Sequence, residues 1–126
     1  MFIHIDPSNG LAIYNQIVRQ VKFAVAAGAI APGELAPSVR EMARDLAINP
    51  NTVARAYQQL QVDDVLASVR GTGLAVAQGA PQRCREERTQ LIGDRLRQAL
   101  AEATHSGLTP EEIRNLIDAE LSADQV

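Results

Sequence analysis

Tryptophan is absent from the 126 residues, and Phe and Tyr contribute only two each. With aromatics at 3% against 46% apolar residues in all, the core must be aliphatic and rich in alanine, which suits packed helices better than a β-sandwich. Cysteine occurs once, as Cys84, which excludes an intramolecular disulfide and, with so few other ligand candidates, speaks against a zinc site. No stretch approaches the roughly 18–20 consecutive apolar residues of a membrane span, and Asp6-Pro7 so near the start is unlike a signal peptide. The expectation is a cytoplasmic chain with no membrane partner. Also lacking are a nucleophile elbow and a glycine-rich phosphate loop. His4 and His105 stand apart and read as surface or capping residues, so no enzyme is expected and no cofactor is implied.

An excess of positive charge is missing too, since the net charge is −3. That total argues at first against a nucleic-acid partner, but its distribution matters more. Residues 1–79 balance six cations (Arg19, Lys22, Arg40, Arg44, Arg55, Arg70) against six acidic groups, while residues 80–126 hold six against nine. DNA binding depends on local clusters rather than on the sum. Arg40, Arg44, Arg55 and Arg70 fall in or just after one stretch of the chain.

That stretch is Pro37–Leu60, PSVREMARDLAINPNTVARAYQQL. Ser38 is placed to cap a short helix whose inner face is Val39, Met42, Ala43 and Leu46. Ala47-Ile48 makes a turn. Asn49 then caps a second helix with Pro50 at its first position, where a missing N–H costs nothing. Val53, Ala54, Tyr57 and Leu60 recur inward at helical spacing, and Asn51, Thr52, Arg55, Gln58 and Gln59 face outward. Amides, a hydroxyl and a guanidinium on the first turns of an exposed helix suit base edges and phosphates. The pattern predicts a helix-turn-helix with the second helix as its reading element.

The flanking chain supports this. Phe2–Ile5 is expected to form a short strand, ended by the turn-forming run Asp6–Gly10. Leu11–Ala27 carries an apolar stripe of Ile13, Ile17, Val21 and Ala24, with Asn15, Gln16, Arg19, Gln20 and Lys22 expected on the wet side. Gly28 fits a helix C-cap. Val65–Val69 and Leu74–Ala77 around Arg70-Gly71-Thr72-Gly73 predict a β-hairpin, the wing of a winged helix. Gln78–Gln82 reads as a linker. Beyond it Arg83–Thr104 is helical with a stripe of Ile92, Leu96, Ala99, Leu100 and Ala103. Thr109-Pro110-Glu111-Glu112 then forms a capping box before a last helix with Ile113, Leu116, Ile117 and Leu121 on one face. Two helices cannot bury two such faces by themselves. They either fold back on the N-terminal domain or pair with a second chain, and the pairing is the reading adopted.

Several of these segments together resemble the GntR family of bacterial transcription regulators, and within it the short YtrA-type members. They are Ile5–Gly10 followed by Ile13-Tyr14-Asn15-Gln16-Ile17, Gly28-Ala29-Ile30 with Pro32-Gly33, Pro37–Glu41, Asn49–Tyr57 and Arg70–Gly73. The resemblance implies a mainly α protein with a small β-hairpin: a winged helix-turn-helix DNA-binding domain over residues 1–77, a linker at 78–82, and a two-helix dimerisation region over 83–126. It implies a homodimer that binds a palindromic operator in double-stranded DNA and acts as a repressor. Carried over from the family's pattern, Arg40, Asn51, Thr52, Arg55, Arg70 and Gly71 meet DNA. Arg55 and Asn51 are expected to read bases, Arg40 and Thr52 to hold phosphates, and Arg70 with Gly71 to touch the flank.

This chain also departs from that pattern. Ala12 and Ala36 stand where Pro and Leu are usual, and Asp64 where Gly usually ends the third helix. Val62, Val69 and Thr72 occupy places that are commonly basic. The alternative reading is therefore a winged helix that has lost strong DNA binding and serves protein interaction. An unidentified small-molecule effector is left open, although residues 80–126 show no convergence of polar groups around a pocket.

Overall fold

Helices in this chain start and stop where a side chain or a left-handed residue can replace missing backbone partners. The computed structural model describes residues 3–123, which divide by packing into two units, residues 3–88 and residues 89–123. In the first, α1 (Ile13–Ala26), α2 (Val39–Leu46) and α3 (Pro50–Val62) precede a hairpin of β1 (Leu66–Val69) and β2 (Gly73–Val76). The next helix, α4 (Ala80–His105), begins in the first unit and continues into the second, where α5 (Pro110–Ala123) follows.

The caps expected around the central stretch are present. Ser38 Oγ accepts from Glu41 N–H while Glu41 accepts from Ser38 N–H, a reciprocal capping box. Asn49 Oδ1 accepts from Asn51 N–H at 2.8 Å. Between the helices Ala47 takes the left-handed conformation, φ 54°, and Ile48 N–H reaches back to Ala43 C=O at 3.0 Å. Asp64, φ 58°, does the same at the end of α3, where Val65 N–H bonds Leu60 C=O at 2.9 Å. Asp tolerates this conformation better than most residues.

The core of this unit is aliphatic. Ile17, Val21 and Val25 of α1 meet Met42 and Ala43 of α2, and Val53, Ala56, Tyr57 and Leu60 of α3. Ala56 takes the buried place expected of Ala54, which is half-buried. β1 and β2 pair antiparallel from Leu66↔Val76 to Val69↔Gly73. Leu35 bridges Ala75, so the segment before α2 adds a third edge to the wing.

Four expectations need correction. No strand forms over Ile3–Ile5, and Phe2 lies outside the described residues. The segment has no strand partner. Instead the Gln20 side chain bonds both N–H and C=O of His4, and the Gln16 side chain bonds both of Asp6. The spacing explains the fit: four residues of helix rise about 6 Å, close to the roughly 6.6 Å spanned by two extended residues. Gln16 is consequently buried rather than on the wet side, 3% exposed. Lys22 is not free either. Its ammonium pairs with Asp63 at 2.8 Å and Glu87 at 2.9 Å. Burial draws its pKa down most strongly, yet the two carboxylates outweigh it and the value stands above the ordinary one. Finally, residues 80–82 are helical rather than linker. Pro81 sits in the first turn of α4, where a missing N–H is harmless, and Ala80 and Cys84 are buried in the core. Burial raises the Cys84 thiol pKa.

In the second unit Gly107, φ 97°, closes α4, with Leu108 N–H on Ala103 C=O at 3.2 Å. Thr109 and Glu112 form the expected capping box at α5, and the Thr109 N–H holds the Glu112 carboxyl below its usual pKa. Among the described residues of this unit none is buried. Ile92 is 39% exposed, Leu96 56%, Leu100 40%, Leu116 57%, Ile117 43% and Leu121 59%. Ala99 is exposed, while Ala103 and Ile113 are half-buried.

Candidate nucleic-acid interface

The second helix of the helix-turn-helix owes its open face to its apolar periodicity. Val53, Ala56, Tyr57 and Leu60 anchor α3 against α1 and α2, which turns Asn51, Arg55, Gln58 and Gln59 to the surface and leaves Thr52 half-buried. Asn51 and Arg55 lie four residues apart and so share one face, one turn above the other. With Thr52, Ile13 and Tyr14 they line a shallow groove at the N-terminal end of α3, where the helix dipole is positive and favours an anion.

Arg55 is fixed in this groove. Its Cζ lies 3.8 Å from the centroid of the Tyr14 ring, a cation–π stack. Tyr14 was not among the expected site residues. It flanks the apolar stripe of α1, and nothing in the spacing links it to an arginine in another helix.

Arg40 is exposed on the first turn of α2, and Arg70 and Gly71 are exposed at the tip of the hairpin. Gly71, φ 75°, takes a conformation that suits glycine. The structure thus gathers Asn51, Thr52 and Arg55 in one groove, whose lining includes neither Arg40 nor the wing tip. A second groove links α2 and the wing through Ser38, Glu41, Tyr57 and Thr72. At its floor Tyr57 O–H donates to Pro37 C=O at 2.7 Å. Burial, reinforced by the charge of Glu41, pushes that phenol's pKa up to about 12.

Electrostatically, Arg40, Arg55 and Arg70 have no carboxylate partner among the described residues, whereas Lys22, Arg44 and Arg97 do. Of the two acidic residues near the wing, Asp63 is paired with Lys22. That pairing offsets the repulsion which Asp63 would otherwise exert on a phosphate backbone. Exposed guanidiniums, amides and backbone N–H groups on one helix face and one hairpin can bond phosphate oxygens and base edges.

The sequence profile described as "Bacterial regulatory proteins, gntR family" matches residues 13–76, from the first helix to the last residue of the wing. The chain belongs to the GntR family. It is 35% identical over 122 residues to the HTH-type transcriptional repressor YtrA of Bacillus subtilis (strain 168), covering 97% of this chain and 93% of that protein. A solved transcriptional regulator from Oenococcus oeni is 29% identical, covers 95% of this chain and 99% of its own, and superposes with a TM-score of 0.77. The structure of AraR(DBD) in complex with operator ORX1 is similar over 61% of this chain and 93% of its own, with 25% identity and a TM-score of 0.52. This GntR-family chain is accordingly a transcription regulator with a winged helix-turn-helix DNA-binding domain, and not an enzyme. Among its described residues no helix is long and apolar enough to cross a membrane.

Proposed function

We propose that this regulator is a cytoplasmic repressor that binds a palindromic operator as a homodimer. Residues 1–77 would read DNA and residues 83–126 would pair two copies, with Ile92, Leu96, Ala99, Leu100, Ala103, Ile113, Leu116, Ile117 and Leu121 in the dimer seam. The observation that carries the DNA-reading half is the open face of α3, where Asn51 and Arg55 stand exposed with no carboxylate on the guanidinium. Two such helices enter successive major grooves about 34 Å apart. Arg55 and Asn51 read bases, Arg40 and Thr52 hold phosphates, and Arg70 with the Gly71 backbone touches the flank. Similarity to a relative named a repressor supports the direction of control.

The dimer is supported by the six large apolar side chains of α4 and α5 that stand 39–59% exposed. Faces of this kind mark an association surface.

The test is a duplex selected by the full chain from a randomised library, then titrated by fluorescence anisotropy at several salt concentrations. Affinity should fall steeply with salt, in proportion to the phosphates contacted. Arg55→Ala should cost about 1–3 kcal/mol on the selected duplex. Binding indifferent to salt would instead favour a winged helix given over to protein interaction, the reading that the uncharged Val69 and Thr72 of the wing favour.

A further inference from the structure

We propose that Tyr14 is a positioning residue for base reading: its ring holds the Arg55 guanidinium so that the outward N–H groups meet a guanine in the major groove. The inference rests on the DNA-reading role proposed for Arg55.

Three features of the stack carry it. First, Arg55 is exposed on the reading face, and an unheld arginine there would sample many rotamers and lose that freedom on binding. The ring 3.8 Å below its Cζ restricts it beforehand. Second, the partner is an aromatic face. A carboxylate would use up the planar fork, whereas a ring takes only the flat side and leaves the edge donors open. Those in-plane donors fit the O6 and N7 acceptors of guanine, the commonest specific arginine contact. Third, Tyr14 is itself anchored. It is half-buried and packed against the core, on a helix whose entrance is held by the Gln16 and Gln20 side chains.

The experiment selects a duplex with the wild-type chain, then measures competition between that duplex and variants in which single guanines become adenine. One guanine per half-site should be preferred about ten-fold or more by wild type, and Arg55→Ala should erase that preference. Tyr14→Phe keeps the ring and should keep the preference. Tyr14→Leu keeps the apolar packing and should weaken it by about two- to five-fold, with an unchanged salt slope because no phosphate contact is lost. In the Arg55→Ala background Tyr14→Leu should change the preference no further. Independently of any variant, the Arg55 side-chain protons should be shifted upfield by the ring current in the NMR spectrum of the wild type.

Full guanine preference in folded Tyr14→Leu, loss of it in Tyr14→Phe, or the absence of the ring-current shift would each overturn the inference while leaving DNA reading intact. A wild type that enriches no sequence would overturn that reading and this inference with it.

Discussion

Tyr57 is buried among apolar side chains and yet ends in a titratable hydroxyl, which ties the stability of the reading head to alkaline pH. Its pKa is raised from 10.0 to about 12, so the folded state holds the phenol proton more tightly than the unfolded chain does. The resulting stabilisation is fully present below pH 10 and is lost as pH rises from 10 toward 12, about 1.4 kcal/mol for each tenfold difference in proton affinity between the two states. Tyr57→Phe forfeits the bond to Pro37 C=O, which costs about 1 kcal/mol at neutral pH, but it carries no phenol to ionise. Urea midpoints should therefore favour wild type at pH 7 and Tyr57→Phe near pH 12. Parallel loss in both proteins would mean that another group titrates. Ala47 offers a converse case at this scale. Its left-handed φ of 54° costs a side-chain-bearing residue about 1–2 kcal/mol, against roughly 0.5–1 kcal/mol of extra backbone entropy for glycine. As Ala47 is exposed, Ala47→Gly loses no packing and should raise the melting temperature by about 2–5 °C.

At the scale of elements, the entrance to α1 depends on two amides in place of a strand. Gln16→Ala would remove the partner of the half-buried N–H and C=O of Asp6 and leave a gap where the buried amide sat, and should cost about 1 kcal/mol or a little more. Gln20, half-buried, leaves its partners within reach of water, so Gln20→Ala should cost less. Hydrogen exchange at the Asp6 amide should accelerate only in the first variant. This clamp also marks the limit of what local sequence pattern encodes. Caps, turns and the apolar stripes of α2, α3 and α5 were legible because each is set by residues within one turn of each other: Ser38 with Glu41, Asn49 with Asn51, Thr109 with Glu112. Helical period assigns a polar residue to the surface whatever its partners, and so puts Gln16 and Lys22 outside. Pro81 serves equally as a loop residue and as the first turn of a helix, which hid the true start of α4. Arg55 was legible as a candidate, but its partner Tyr14 was not, because 41 residues separate them and only the crossing of α1 and α3 brings them together.

For the whole molecule, the decisive quantity is how much apolar surface the second unit leaves uncovered. Leu96 and Leu121 are more than half exposed and Leu100 is 40% exposed. Burying a leucine side chain fully is worth about 1.5–3 kcal/mol. The six large leucines and isoleucines are still 39–59% exposed and so stand to gain roughly half of that apiece, a drive toward a second copy set against the loss of rotational and translational freedom on association. The full chain should sediment as a dimer at micromolar concentration. Leu96→Asp with Leu100→Asp would place two charges in the seam and should yield a monomer that keeps its circular dichroism, since neither residue is buried in its own unit. The consequence for DNA follows from effective concentration. A dimer that has seated one reading helix presents the second at a local concentration near millimolar, so the monomeric variant should lose roughly a hundred-fold or more in affinity for a two-half-site duplex, while binding a single half-site as well as wild type does. Analytical ultracentrifugation and anisotropy on the two duplexes separate these effects. A variant that remains dimeric would move the seam elsewhere, and a monomer with undiminished affinity for the full site would show that pairing plays no part in operator recognition.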